Sequence, residues 1–176
     1  MKKTLIFLVV SVLLILTSCK FAFVDSDSEK AKKCLEDLLI NLQEENTEKT
    51  KSLFALNAII DLENFDEDIF KLFQYFNGNY ETFISDGLGT FNEVEHGKNK
   101  KYYLITSDVK TTENTYRFAI KWYVEDDFDS ENIGIHSLYV IKFEDDPYSE
   151  YSYGGDGLWT NGINIGKVWI GQEETK

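Results

Sequence analysis

The sequence predicts an α+β domain, with N-terminal helices packed on an antiparallel sheet, and three observations carry that expectation. Up to Phe76 the apolar residues recur at helical spacing. Beyond Gly78 the spacing changes to short alternation of apolar and polar residues. Within that second half, residues 116–124 and 133–143 are aromatic, alternating runs joined by a short polar link, as two central strands of a hairpin require. Neither run is polar along the whole of its second face, so both sides of the sheet are expected to be partly covered. A chain of 176 residues, 43% hydrophobic, suffices for one core and is small for two.

The N-terminus has its own pattern. Met1-Lys2-Lys3 is a short basic segment, residues 5–16 are apolar except for Ser11, and Leu16-Thr17-Ser18-Cys19 closes the stretch. This is a signal peptide over residues 1–18 that ends in a lipobox and resembles the bacterial lipoprotein consensus. Its apolar core falls short of the ~20 residues that a membrane-spanning helix needs. The chemistry fits the residues: the Cys19 thiol takes a diacylglycerol thioether, and the small Thr17 and Ser18 let a peptidase reach the bond before it. Two or three acyl chains give stable anchoring. The mature chain is therefore expected on the extracytoplasmic face of a bacterial membrane. Residues 19–28 form its tether, and residues 20–27 reach at most ~26 Å at ~3.3 Å each. Phe21, Phe23 and Val24 rest on lipid headgroups or pack on the first helix, and the second is favoured.

Charge narrows the partners. There are 31 acidic residues against 18 basic ones, and losing Lys2 and Lys3 with the leader takes the balance from −13 to −15. Nothing supplies the basic stripe that phosphate neutralisation needs, so no nucleic acid is expected as a partner. An anionic membrane surface repels the same charge, which leaves the lipid anchor as the attachment.

Along the mature chain, Ser28 is the expected cap of a first helix running to about Gln43, with Ala31, Leu35, Leu38, Leu39 and Leu42 on one face. Asn46 or Thr47 opens a short second helix carrying Leu53, Phe54 and Leu56, and residues 57–64 link it to the next. A third begins near Asp66, carries Ile69, Phe70, Leu72, Phe73 and Phe76 as core, and stops at Asn77-Gly78. Residues 80–86 read as a first strand, Asp86-Gly87-Leu88-Gly89 as a turn or bulge, and residues 101–110 as a second strand. Lys98-Asn99-Lys100-Lys101 reads as a solvated hairpin tip. The Tyr-, Trp- and Gly-rich stretch 147–170 reads as a loop leading to a last strand. The domain is expected over residues 29–170, with 171–176 a frayed tail.

Few residues offer chemistry. Once Cys19 is lipidated, Cys34 is the remaining cysteine, so no disulfide forms within the mature domain, and a small buried thiol is the expected role. Gly154-Gly155-Asp156-Gly157 lacks the Lys and Ser/Thr of a phosphate loop. Asp126, Asp127, Asp129 and Glu131 supply oxygens for a hard cation, yet the EF-hand pattern fails because Leu138 stands where the bidentate acid belongs; solvated loop acids are expected. With only His96 and His136, zinc is nearly excluded, and no metal site or other cofactor is expected. His136 is the one candidate acid or base, on a strand beside Tyr123 or Arg117, and a hydrogen-bonded strand histidine is the more ordinary reading. Serines such as Ser137 lie in strands and form no nucleophile elbow.

The lipobox, the helices before the sheet, the strand 116–121, the run 134–141 and Gly155-Asp156-Gly157-Leu158-Trp159-Thr160-Asn161-Gly162-Ile163 together resemble the DUF5104 family of uncharacterised, mostly Gram-positive bacterial proteins. The resemblance spans roughly residues 29–165. It implies an NTF2-like, cystatin-like fold: helices across a strongly curved antiparallel sheet that often encloses a cone-shaped pocket. It assigns no catalytic residue. The function expected is non-enzymatic binding of a small apolar ligand or of another envelope protein, with Trp122, Tyr139 and Trp159 as pocket or rim. One alternative is a small hydrolase or isomerase using His136 with a loop acid such as Asp156. Another is an acidic inhibitor or immunity-type protein for a basic partner.

Overall fold

The computed structural model describes residues 26–146 and 158–166. The expected leader, Cys19 and most of the expected tether lie outside them, as do Asp156 and the expected tail. Among the described residues no helix is long and apolar enough to cross a membrane.

Helix α1 spans Asp27–Gln43 and is capped by Ser26, two residues before the expected Ser28. The spacing decides it: the Ser26 hydroxyl accepts from the Glu29 N–H at 3.2 Å while the Glu29 carboxylate accepts from the Ser26 N–H at 2.7 Å, a capping box that Ser28 has no matching glutamate to form. Ala31, Cys34, Leu35, Leu38, Leu39 and Leu42 form the buried stripe. Asn46 caps α2, which is only Thr47–Lys51. The segment expected to continue that helix instead runs extended, because Leu53 and Ala55 exchange backbone hydrogen bonds with Ile135 at 2.8 and 3.0 Å, a parallel bridge between Phe54 and Ile135. A single turn, α3 (Leu56–Ile59), and α4 (Phe65–Tyr75) follow. Phe65, Ile69, Leu72 and Phe73 of α4 are buried, whereas Phe70 points outward, 57% exposed, since it falls off the i, i+4 stripe.

Among the described residues five strands make the sheet: β1 (Tyr80–Glu95), β2 (Lys98–Thr111), β3 (Thr115–Asp126), β4 (Gly134–Lys142) and β5 (Gly162–Ile165), in that spatial order. The first four are antiparallel, as expected, but β5 pairs parallel with β4, so the sheet is mixed. A strand that returns through residues 143–161 has chain enough to cross over and run alongside β4 in the same direction. The first strand does not end at Asp86; it carries a bulge there and continues to Glu95. The hairpin tip is His96-Gly97, both with positive φ as a two-residue turn demands, and Lys98–Lys101 belong to β2.

Helices α1 and α4 and the extended segment lie on one face of the sheet. Tyr103, Tyr116, Phe118, Ile120, Ile135, Leu138 and Val140 meet Leu35, Leu38, Leu39, Ile69 and Leu72 there in one core. On the far face a smaller cluster of Ala119, Tyr139 and Ile141 packs with Trp159, so both sides are partly covered. The core is closed at one end by hydroxyls. Tyr116 donates to the Tyr75 carbonyl at 2.9 Å and accepts from the Asn77 N–H at 2.8 Å, which ties the end of α4 to the middle of the sheet.

Candidate functional site

His136 sits at a kink in its strand. Lys121 faces Ser137 and Trp122 faces Ile135, so His136 has no opposite residue; it is a bulge. The simple alternation of β4 breaks at that point, and Ile135 turns to the helix side with Leu138 and Val140 instead of sharing a face with Tyr139 and Ile141. The His136 ring lies against Tyr123 on the far face, 4.3 Å between centroids. Tyr123 meets Tyr102 at 4.9 Å, and Tyr102 stacks on Phe91 at 4.8 Å, so four rings from four adjacent strands form one ladder. The Lys121 ammonium rides over Tyr102 and Tyr123 at 5.3 and 5.5 Å. Burial pulls its pKa below the ordinary lysine value, and the charge of Lys100 adds to the effect.

The Nε2 atom of His136 lies 2.8 Å from the Asn132 carbonyl oxygen, which can only accept, so Nε2 carries the proton. Burial lowers its pKa, against the pull of that hydrogen bond, and Lys121 and Lys100 lower it further. The ring is therefore neutral at pH 7. An imidazole with a depressed folded-state pKa binds fewer protons than the unfolded chain, so stability falls as pH drops below about 6.5. The variant His136→Gln should flatten that slope below about pH 6.5; an unchanged slope in denaturant unfolding contradicts this placement.

The expected pocket residues do not converge. Trp122 is on the helix side, 5.6 Å from Tyr103 by ring centroids, and borders a groove with Lys30, Lys33, Cys34 and Leu53. Tyr139 and Trp159 meet edge to face at 6.0 Å on the far side. Tyr139 is fully buried, and its hydroxyl accepts from the Thr160 N–H at 2.6 Å. Ser137 donates to the Trp159 carbonyl at 2.6 Å, a structural bond within the same cluster.

The loop acids between β3 and β4 serve the loop itself. Asp126 accepts from the N–H groups of Phe128 and Asp129 at 3.0 and 3.1 Å and from the Asn132 amide at 2.9 Å. Burial alone would raise its pKa; these bonds and Lys100 outweigh burial and hold it below the ordinary carboxylate value. Asp127 accepts from the Asn99 N–H, and Asp129 caps the turn Ser130–Asn132 and accepts from Asn57. Among the described residues no group of three His, Cys, Asp or Glu side chains gathers as a metal would need. His96 is a turn residue at the hairpin tip.

Cys34 is buried in the helix-side core, and burial pushes its thiol up to about 12, with Asp37 adding to the shift. The thiolate is the reactive species, so a thiol reagent should leave Cys34 of the native protein unmodified and react only after denaturation. Stoichiometric labelling under native conditions contradicts this. The basic run is likewise occupied: Lys101 reaches Asp27 at 2.9 Å, where the Tyr103 hydroxyl also donates at 2.6 Å, and this fastens the first residue of α1 to β2.

Two features were not foreseen: the ion-pair site of Arg117, which lies opposite Ile141 and not beside His136, and an outer groove. Arg117 is buried on the far face, its guanidinium donating to both oxygens of Asp108 at 2.7 and 3.1 Å and to Asp146 at 2.7 Å, beneath the Phe143 ring. The alternation placed Arg117 on that face, but its partners come from 9 and 29 residues away, which no local pattern reports. The second is a groove of about 530 Å³ between α3 and the start of α4. Leu56, Ile59, Ile60, Leu62 and Phe65 supply its apolar walls; Glu63, Asp66 and Glu67 stand at its rim. Leu56 and Ile60 are 47% and 63% exposed. The signal was present as Ile59-Ile60 and Leu62 inside a segment read as a link.

No curated protein matches the chain. The family model described as a domain of unknown function, DUF5104, matches residues 37–143, which run from within α1 to the end of β4 and include the ladder, the groove and Arg117. That match covers most of the chain, and the protein belongs to the DUF5104 family.

Proposed function

We propose that this protein is a lipid-anchored module on the outer face of a bacterial cytoplasmic membrane, and that it binds another envelope protein without catalysing a reaction. The observation that carries the binding reading is where space lies. Between α1 and the sheet the cavity bordered by Ser28, Leu35, Phe83 and Ser107 is only about 80 Å³, well below the ~300 Å³ at which ligand pockets begin. The groove beside Trp122, about 310 Å³, is open at the surface and only reaches that size. The larger groove is on the outside. Anchoring rests on the lipobox Leu16-Thr17-Ser18-Cys19 and on α1 starting eight residues beyond Cys19. The fold reads as an NTF2-like arrangement whose cone is filled by Tyr103, Tyr116 and Phe118. Four β-bulges, which bend and twist strands, support that reading. The aromatic residues first assigned to a pocket act in this reading as core.

The test is the mass of the full chain extracted with mild detergent from membranes of its host, after chemical crosslinking. The reading expects a chain that starts at Cys19, carries acyl chains and holds a discrete protein adduct; Cys19→Ala should leave the membrane fraction. A chain without lipid overturns the anchor. A reproducible adduct of small-molecule size, with no protein bound, overturns protein binding in favour of a carrier.

A further inference from the structure

The groove between α3 and α4 combines apolar walls with an excess of acid: Glu63, Asp66 and Glu67 against Lys51. Part of that charge has a local cause. The side chain of Asn64 makes no capping bond to α4, so Asp66, Glu67 and Asp68 in its first turn stabilise the helix end. That cause does not account for Glu63, outside the helix, or for two aliphatic side chains, Leu56 and Ile60, left in water beside it. The charge is balanced on the spot only at Asp66, which leaves the excess with Glu63 and Glu67. Lys51, the one cation among the lining residues, is held by Asp66 at 2.6 Å. A depression with apolar walls and a net acidic rim selects against most occupants. A second copy of this chain brings the same excess of acid and is repelled, and so is an anionic lipid leaflet.

We infer that the groove docks a basic, apolar segment of a partner protein. Its aliphatic side chains enter among Leu56, Ile60 and Phe65, and its lysines or arginines meet Glu63 and Glu67. The inference names the partner chemistry of the binding module proposed above and rests on that reading. Charge complementarity at an exposed rim sets the rate and specificity of association more than its strength, so docking should be salt-sensitive, while the apolar contacts should set residence.

The experiment uses the full chain in phosphatidylcholine nanodiscs, with empty nanodiscs as blank. The probe is a short synthetic peptide of leucine and lysine at helical spacing that bears one photoreactive leucine; a second peptide has glutamate for every lysine. Crosslinks of the lysine peptide should map to residues 56–67. Its affinity should fall about tenfold or more in Ile60→Asp and in the double variant Glu63→Lys, Glu67→Lys, and by a similar factor between low and ~0.5 M salt. Glu144→Lys, an exposed acid outside the groove, should leave it unchanged. All four altered positions are exposed, and circular dichroism checks that each variant is folded. Crosslinks scattered over the chain, equal binding of the glutamate peptide, or groove variants that bind like the parent overturn the inference. A host protein that crosslinks elsewhere on the surface keeps the module reading and overturns the groove; peptide docking with no host protein adduct does the reverse.

Discussion

Gly134→Ala is expected to cost the domain roughly 3 kcal/mol, the largest loss from any single methyl group in the sheet. Gly134 has φ +133°, where side chains are strained, and a Cβ built on it would stand 2.5 Å from the Ala55 nitrogen and 2.8 Å from the Phe54 carbonyl carbon. Those are backbone atoms, so no rotamer change relieves the clash. The extended segment 53–55 must move off β4, and the two hydrogen bonds to Ile135 go with it. The comparison is Gly97→Ala at the hairpin tip, where φ is +79° and nothing lies within 4 Å; there only the backbone strain of ~1 kcal/mol applies. Denaturant unfolding of the two variants separates the contributions. Equal losses would mean that the close approach of the segment to β4 is not what Gly134 is needed for.

Arg117→Ala is expected to cost about 3 kcal/mol or more. The guanidinium is 7% exposed and binds Asp108 through two nitrogens, so its removal leaves a half-buried carboxylate without its bidentate partner and empties the space under Phe143. Asp108 and Asp146 raise the pKa of Arg117 against the opposing effect of burial, so the pairing outweighs desolvation in the folded chain. Arg117→Lys should rescue little, because an ammonium cannot span Asp108 with two parallel bonds and reach Asp146 as well. Full rescue by lysine would reduce the site to a simple charge pair.

How much of this was legible beforehand follows from the range of each interaction. Periodicity and capping are local, so α1, α4 and β2 to β4 can be read from the chain within a few residues, whereas β1 runs nine residues beyond its expected end at Asp86 and α2 stops at Lys51. The capping box itself was legible as Ser26 followed by Glu29, even though Ser28 was the more obvious start. Two of the misreadings share one cause: a distant backbone overrides a local pattern. Leu53, Phe54 and Leu56 have helical spacing, but Ile135 offers hydrogen bonds that turn the segment into a bridge. Alternation in β4 predicts that Ile135 and Tyr139 share a face, and a single bulge at His136 separates them. The same bulge decides the candidate site, because it sets His136 against Tyr123 and gives its ring nitrogen to the Asn132 carbonyl. Trp122 and Tyr139 were grouped by their chemistry, and the sheet lies between them. Arg117 and its carboxylates, and the groove flanking α4, exist only once the chain is folded.

The most direct test of the central claim places a photoreactive amino acid at position 60 of the full chain, in its own host, with the same probe at position 84 of β1 as comparison; both parent residues are exposed isoleucines. The account predicts one discrete protein adduct from position 60, lost when Cys19→Ala removes the anchor, and none of the same mass from position 84. Adducts that are identical from both positions, or absent from position 60 while the anchored protein is present in full, would contradict it.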